Sequence, residues 1–402
     1  MRWFVLLSVA CLWPPAAASG YSVLTHEAIV DASWARELKP LLLKRFPDAT
    51  EEQLREAHAY AYGGAIIQDM GYYPFGSKFF SDLLHYTRSG DFVMALVREA
   101  QDLNEYAFSL GALAHYAADN LGHPIAVNRT VPMVYPKLLK KYGPEVTYED
   151  NPGAHLKTEF GFDVIQVARG LYASEAYHDF IGFKVDRPVL ERAFEDTYSV
   201  PLGSLFGDLD LALGTYRFAV SRTIPAMSKT AWAAKKKEIQ TLDGSMTRRK
   251  FVYKLSRATY HKDWDRNYER PGPGARFLAW LFRLVPKVGP FQALSFKVPP
   301  ATAENLFLTS LADTLRRYRE LLQEVDQNRL ELANENFDTG KPTHQGDYHM
   351  ADEAYAKLLE RFNGAPEKIG DELRTNILTF YTSTDGPQSE TARSVLAALR
   401  SR

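Results

Sequence analysis

Apolar residues recur every three or four positions along most of this chain, the spacing typical of amphipathic α-helices. The longest such pattern runs from Phe92 to His123 and predicts one continuous helix there. Further helices are predicted over residues 31–46, 51–62, 155–172, 189–198, 208–236, 303–335, 350–363 and 389–401. Strict alternation of apolar and polar residues, which is typical of half-buried strands, is not sustained anywhere. The pattern therefore predicts an all-α protein.

Segments rich in turn-forming residues separate these helices. Two of them, 69–77 and 142–153, contain closely spaced glycine and proline. A polar and basic stretch at 235–250 is the best candidate for a domain boundary. We therefore expect a helical domain over 21–235, followed by a C-terminal helical region over 236–402 that shows no cluster of ligand-type residues.

The long predicted helix carries His115, Asp119 and His123 at intervals of four residues. Four residues turn an α-helix by about 400°, so successive members of this set are offset by only about 40° and share one face. An otherwise apolar helix gives no structural reason for two imidazoles and a carboxylate on one stripe. Imidazole nitrogen and carboxylate oxygen are both ligands of zinc, so the spacing predicts a metal site.

Other residues of the same chemical types lie on either side of this set: His26, Asp69, His85, His155 and Glu159. Each has an ordinary alternative explanation when taken alone. Asp69 precedes Met-Gly and suits a turn, and the pair His155 and Glu159 has the spacing of a stabilising surface pair on a helix. Together the eight side chains are enough for two or three ions, and Asp119 is the natural bridging ligand.

Residues 1–20 have the pattern of a secretory signal, with a charged start, an apolar run over 3–13 and small residues before the mature chain. The apolar run is shorter than the roughly 20 residues that a membrane-spanning helix needs. Cleavage after Ala18 and cleavage after Gly20 both remain open, and the second would make Tyr21 the mature N-terminus. The sequence thus predicts a secreted or periplasmic protein.

The chain has 402 residues, of which 46% are hydrophobic and 24% charged, as in ordinary globular proteins. The formal net charge of −1 gives no overall basic field that would favour nucleic acid or an anionic surface. The only cysteine, Cys11, lies in the predicted leader. The mature chain can therefore form no disulfide and no thiolate metal site.

The order of the ligand-type residues resembles the zinc-dependent phospholipase C family. Its relatives include secreted single-strand nucleases of fungi and plants and the catalytic domain of glycosylphosphatidylinositol-specific phospholipase D. The resemblance covers roughly residues 21–235 and rests on His26, Asp69, His85, His115-x3-Asp119-x3-His123 and His155-x3-Glu159. It implies an all-α, multi-helix zinc domain of the phospholipase C and nuclease type, with a C-terminal helical extension. It also implies a hydrolase of phosphodiesters that holds up to three zinc ions.

The resemblance also implies which residues bind which ion. The first zinc would take the amine and carbonyl of an N-terminal Tyr21, together with His26 and Asp119. The second would take Asp69, His85, His115 and Asp119, and the third would take His123, His155 and Glu159. Asp69 is then also the residue implied to orient or deprotonate the attacking water.

Three positions depart from the common pattern of that family. Tyr21 stands where the bacterial phospholipases and the nucleases usually have tryptophan. Tyrosine can replace it, because the ligating atoms belong to the backbone, provided that the leader is cleaved after Gly20. The short gap between Asp119 and His123 resembles the phospholipase D branch. Glu159 resembles the phospholipases, since the nucleases tend to have aspartate there. These features favour a lipid phosphodiester without deciding which ester bond is cut.

The leading hypothesis is phospholipase C-type hydrolysis of a phospholipid, or of another phosphodiester, by zinc-activated water. The apolar segment 277–298 has two interpretations, peripheral contact with a membrane or a buried helix with a connecting loop, and the second is favoured. Phospholipase D-type cleavage is one alternative. Another is a nuclease or nucleotidase, with Lys137, Lys140, Lys141 and the stretch 235–250 as a basic track for nucleic acid. A third is structural zinc in a binding protein, which closed four-ligand sites would indicate. No obligate protein partner is evident.

Overall fold

The computed structural model describes residues 21–169, 171–172, 181–224, 295–382 and 386–401. These residues form helices, and the extended pairing among them is limited to an isolated bridge between Asn336 and Lys341. The prediction of an all-α fold is therefore confirmed. The predicted leader, the stretch 235–250 and most of the segment 277–298 lie outside the described residues.

The helices of the described residues fall into two groups along the chain. The first group consists of α1 (Val23–Ser33), α2 (Lys39–Arg45), α3 (Glu51–Gly64), α4 (Lys78–Tyr86), α5 (Ser89–Glu99), α6 (Leu103–Gly122), α7 (Asn128–Val134), α8 (Pro136–Tyr142), α9 (Pro152–Arg169), α10 (Arg187–Tyr198) and α11 (Leu209–Phe218). The second consists of α12 (Ala301–Asp326), α13 (His349–Glu360), α14 (Asp371–Phe380) and α15 (Glu390–Ser401). In the part of the chain that the structure describes, no helix is both long and apolar enough to cross a bilayer.

Shorter turns of helix complete the described elements. Tight 3₁₀ turns span Ile67–Tyr72, Leu202–Leu205 and Pro366–Lys368, and wider π turns span Trp34–Leu38, His123–Val127 and Ala219–Thr223. The π turn His123–Val127 follows α6 directly. Its second residue, Pro124, has no backbone N–H and so cannot continue the α-helical hydrogen bonds.

Helix α6 is preceded by a break that the periodicity did not predict. The single helix expected from Phe92 to His123 is wrong, because the chain leaves the helical conformation at Ala100. The Asp102 side chain then caps α6 by accepting hydrogen bonds from the backbone N–H groups of Asn104 and Glu105, both at 2.9 Å. Both α5 and α6 bury apolar faces in the same core, so the apolar spacing continues across the break.

Helix α6 lies at the centre of the described fold and packs against α1, α3, α5 and α12. Its approach to α3 is close because glycine stands on both sides of the contact. A Cβ atom on Gly111 would lie 2.0 Å from the carbonyl oxygen of Ala61, and one on Gly64 would lie 1.8 Å from that of Phe108. This spacing lets the imidazole of His115 reach the chain just after the end of α3.

The described C-terminal residues pack directly on the helices that precede them. Tyr318 on α12 is fully buried and donates a hydrogen bond to the carbonyl of Leu110, 2.8 Å away. Further along, the backbone N–H of Phe337 donates to the carbonyl of His85 at 3.1 Å. Buried residues from both sides of the predicted boundary at 235 belong to one hydrophobic core.

The contact between α3 and α6 gives a stability prediction. We expect Gly111→Ala to lower the free energy of unfolding by about 1–3 kcal/mol. The added methyl group would overlap the carbonyl oxygen of Ala61, and the two packed helices cannot move apart freely to make room for it. Gly214→Ala on α11 is the matched control, since a Cβ atom there meets nothing within 4 Å. Alanine favours a helix over glycine, so the control should be neutral or slightly stabilising. Urea denaturation measures both, and equal effects would contradict the prediction.

Candidate metal centre

The structure places the eight side chains that the sequence singled out as ligands in one buried cluster. They are His26 on α1, Asp69 on the 3₁₀ turn Ile67–Tyr72, His85 on α4, His115 and Asp119 on α6, His123 on the π turn, and His155 and Glu159 on α9. Their exposed fractions lie between 0% and 3%. Polar side chains are rarely buried so completely without partners, so this clustering itself indicates a built site.

The carboxylate of Asp119 lies at the centre of this cluster. The nearest imidazole nitrogens are Nε2 of His115 at 3.1 Å, of His26 at 3.5 Å, of His85 at 3.6 Å and of His123 at 3.8 Å. Neither carboxylate oxygen has a hydrogen bond within the described chain. A buried carboxylate is costly unless a cation or hydrogen-bond donors compensate it. The geometry therefore requires positive charge close to Asp119.

Two of these histidines are held by backbone carbonyls. Nδ1 of His85 donates to the carbonyl of Ser81 at 2.7 Å, and Nδ1 of His115 donates to that of Ala65 at 2.9 Å. A carbonyl can only accept, so in each neutral ring Nε2 keeps its lone pair and points towards Asp119. These Nε2 atoms have no hydrogen bond in the described structure. Metal-ligating histidines have this arrangement, with one nitrogen anchored and the other free to bind.

His155 and Glu159 present a similar case on α9. Nε2 of His155 lies 3.0 Å from the carbonyl oxygen of Val146 and must donate to it, so the lone pair of the neutral ring is on Nδ1. Nδ1 in turn lies 3.1 Å from Oε1 of Glu159. Two acceptors can face each other at this distance only when a proton or a cation lies between them. His123 stacks on His155 with ring centroids 5.3 Å apart and completes this group.

The ligand-type atoms form three groups in which all lie within 4.8 Å of one another. The groups are His26, Asp69 and His115; His85, His115 and Asp119; and His123, His155 and Glu159. The last two consist of residues from the second and third ligand sets that the resemblance implied. In the first, His26 stacks on His115 with centroids 4.4 Å apart. His26 therefore lies close to Asp119 and to two residues of the second expected ligand set, Asp69 and His115.

Burial and mutual charge shift the pKa values of these groups strongly. Burial lowers the pKa of His26 and that of His155 to about 4. Although burial opposes it, the charge of Asp119 raises the pKa of His115 to about 9. Burial raises the pKa of Glu159 well above its ordinary value, and the negative charge of Asp119 adds to the effect. Ionised Glu159 thus needs a cation beside it.

Tyr21 lies next to the cluster, and its side chain serves packing. The ring is 1% exposed and contacts α6 at Gly122, where an added Cβ atom would lie 2.8 Å from the ring carbon Cζ. Its hydroxyl pairs with the hydroxyl of Ser310 on α12, and its ring centroid lies 6.2 Å from that of His26. Ligation through a free amine at Tyr21 depends on cleavage after Gly20 and stays a prediction.

The sequence did not single out Asp338, which the structure places beside the third group. Its Oδ1 lies 3.0 Å from Nδ1 of His123, and its side chain is buried. Although burial opposes it, His123 lowers the pKa of Asp338 to about 2. The neighbouring Phe337 packs its ring 5.3 Å from that of His85. An aspartate in a polar loop far along the chain from the ligand-type residues gives no spacing signal, so only the fold reveals this contact.

The donor set fits zinc. Imidazole nitrogen and carboxylate oxygen are among its usual ligands, and catalytic sites with three protein ligands leave a position for water. Nε2 of His26, His85 and His115 and both oxygens of Asp119 have no hydrogen bond among the described residues. Zinc ions bound in this cluster would give each of these atoms a partner, which the hydrogen bonds of the described residues do not provide.

Comparison with known proteins gives a match to a family of zinc enzymes. Residues 25–207 match the family described as zinc-dependent phospholipase C. The matched range contains all eight clustered side chains and excludes Tyr21 and Asp338. Neither a curated protein nor a solved structure matches the chain significantly. The match over residues 25–207 supports membership of the zinc-dependent phospholipase C family, and together with the ligand-type clusters it supports a zinc enzyme that hydrolyses phospholipids.

Proposed function

We propose that the protein is a secreted phosphodiesterase that performs phospholipase C-type hydrolysis with up to three zinc ions. The single observation that supports this most strongly is the convergence of four imidazoles on the buried carboxylate of Asp119. The family match supports a phospholipid as the substrate. The signal-like pattern of residues 1–20 supports secretion.

In this proposal the three ions use the ligand sets that the resemblance implied. The N-terminal amine and carbonyl of Tyr21 join His26 and Asp119 at the first ion; Asp69, His85, His115 and Asp119 hold the second; His123, His155 and Glu159 hold the third. Bound zinc ions supply Lewis-acid stabilisation of the phosphoryl oxygens and make water acidic enough to react near neutral pH. Asp119 is the carboxylate shared between the first two sets.

Asp69 is the proposed base. Its Oδ1 lies 3.3 Å from Nε2 of His85, and its side chain is 4% exposed, so the carboxylate faces the imidazoles rather than solvent. From there it can orient the attacking water and accept its proton as the new bond to phosphorus forms. In C-type cleavage the bond between phosphorus and the glycerol oxygen breaks, and the glycerol oxygen takes up a proton. Cleavage on the other side of phosphorus is the D-type alternative.

Two tyrosines beside the ligands favour a lipid head group that carries a quaternary ammonium. The ring of Tyr72 lies 5.8 Å from that of His85 and 6.2 Å from that of Tyr148. The Tyr148 ring in turn lies 5.9 Å from that of His155. The pair thus spans the second and third groups of ligands. Aromatic faces attract quaternary ammonium ions, so phosphatidylcholine is the first substrate to test.

An exposed helix near the start of α9 supports contact with a lipid aggregate. Helix α8 buries none of its residues, and its Lys140 and Lys141 are exposed. Leu139 on the same helix is 47% exposed, and Met133 on the preceding helix α7 is 44% exposed. Exposed apolar residues bordered by lysines are typical of surfaces that bind anionic lipid interfaces. The same lysines were part of the candidate track for nucleic acid. The two large apolar side chains exposed in the same part of the chain favour a lipid surface instead.

The substrate is tested by comparing short-chain phosphatidylcholine with single-stranded DNA at equal enzyme concentration. We expect the lipid to be hydrolysed to diacylglycerol and phosphocholine, and the DNA to remain intact. Release of free choline would instead indicate D-type cleavage. Hydrolysis of DNA alone would contradict the phospholipase proposal.

The shared role of Asp119 predicts unequal losses of metal. Asp119→Ala should lose two zinc ions, because its carboxylate belongs to two ligand sets, whereas His123→Ala should lose chiefly one. Zinc is measured by elemental analysis of the purified protein, with circular dichroism as the control for folding. The bridging assignment is wrong if both variants lose the same amount of zinc.

The proposed lipid contact of α8 predicts a loss of vesicle binding without a loss of activity on monomeric substrate. Lys140→Gln/Lys141→Gln should weaken binding to phosphatidylglycerol vesicles by roughly 10- to 30-fold, at about 1 kcal/mol for each lysine. Hydrolysis of short-chain monomeric phosphatidylcholine should not change. Lys341→Gln/Lys368→Gln, which removes two exposed lysines elsewhere, is the matched control. Equal vesicle binding by both double variants would exclude α8 as the contact.

A further inference from the structure

Asp338, from the loop between α12 and α13, contacts the edge of His123 opposite to the nitrogen that faces Asp119. Its Oδ1 lies 3.0 Å from Nδ1 of His123, whereas Nε2 of His123 lies 3.8 Å from Oδ2 of Asp119. The closer pair is at ion-pair distance, and neither of its two atoms has a hydrogen bond in the described structure. His123 is therefore placed between two carboxylates, one at each ring nitrogen.

The carboxylate of Asp338 is held firmly from its other side. Its Oδ2 accepts hydrogen bonds from the backbone N–H of Tyr148 and from the hydroxyl of Tyr348, both at 2.7 Å. Its backbone carbonyl accepts from the side-chain amide of Asn128 at 2.7 Å. Asp338 and His123 are each 1% exposed, so bulk water does not compete for these groups. Asp338 is thus fixed by segments from different parts of the chain.

The charge of Asp338 favours one of the two positions for the proton of His123. An ionised carboxylate can only accept, so Asp338 favours the tautomer with the proton on Nδ1, which leaves the lone pair of the neutral ring on Nε2. Histidines that bind metals use the same arrangement, in which a carboxylate fixes the ring and raises the basicity of the ligating nitrogen. Asp338 therefore does for His123 what backbone carbonyls do for His85 and His115.

We propose that Asp338 is a positioning residue for the third zinc ion, and that the loop between α12 and α13 is thereby part of the metal centre. This inference rests on the proposed ligand set, in which His123 binds zinc, here through Nε2. It adds to that set a residue outside the range that matches the family.

The test is Asp338→Asn in the full-length protein. The backbone N–H of Tyr148 can only donate, so the amide oxygen must remain on that side, and the amide NH₂ then faces Nδ1 of His123. Nδ1 must accept from it, which moves the proton of the neutral ring to Nε2 and removes the lone pair that binds zinc. We expect one ion to bind about 10- to 100-fold more weakly, with the remaining zinc retained.

Two measurements follow this change. Titration of the holoprotein with a zinc chelator gives the affinity of each ion, and nitrogen-15 NMR of the histidine rings reports which nitrogen of His123 is protonated. Tyr348→Phe keeps the carboxylate but removes one of its hydrogen bonds, so the same ion should be weakened less. If Asp338→Asn does not fold, Tyr348→Phe alone still tests the proposal. Asp347→Asn, at an exposed aspartate of the same region, should behave as wild type.

His123→Ala separates this inference from the ligand set on which it rests. Loss of the same ion in His123→Ala and Asp338→Asn, with an inverted His123 tautomer in the second, is the expected result. If His123→Ala loses an ion while the Asp338 and Tyr348 variants hold all their zinc with wild-type affinity, Asp338 has no positioning role and the ligand set stands. If His123→Ala itself loses no zinc, the ligand set fails and the inference fails with it.

Discussion

The need to compensate one buried carboxylate governs the organisation of this protein. Asp119 is fully buried, and four imidazole nitrogens lie within 3.8 Å of its oxygens without giving them a hydrogen bond. An ionised carboxylate without compensation is too costly to bury, so cations belong to the folded state. The helices that bring the imidazoles together are therefore stabilised by ions as well as by the hydrophobic core. Metal binding and folding are coupled in such a centre.

The anchoring of the imidazoles shows how the fold prepares the site. One nitrogen of each of three rings donates to a backbone carbonyl, in His85, His115 and His155. Because a helix or loop fixes each carbonyl, the second nitrogen of each ring is already aimed at the cluster. His123 differs, since its Nδ1 lies 3.0 Å from the charged carboxylate of Asp338 instead of donating to a carbonyl. A charged acceptor increases the basicity of the ring more than a carbonyl does, which distinguishes the third group of ligands chemically.

Local spacing predicted the parts of this site that one helix can encode. The intervals of four residues from His115 to Asp119 and on to His123 placed these side chains on one face, and the structure brings them together. Periodicity could not locate the break at Ala100, because α5 and α6 bury apolar faces in the same core. It also gave no account of Asp338, which is distant in the chain from all eight ligand-type residues. Contacts of this kind depend on how helices pack, which no short repeat in the sequence records.

The packing of α12 explains how residues far along the chain come to support the site. Tyr318 on this helix donates a hydrogen bond to the backbone of α6, the helix that carries Asp119. The loop that follows α12 then places Phe337 and Asp338 against ligand-type imidazoles. Residues 25–207 match the family and carry the eight ligand-type side chains of the cluster, yet some of the surfaces that hold those side chains in place come from outside that range. The described residues on the two sides of the stretch 235–250 therefore share one core, and both sides contact the ligand cluster.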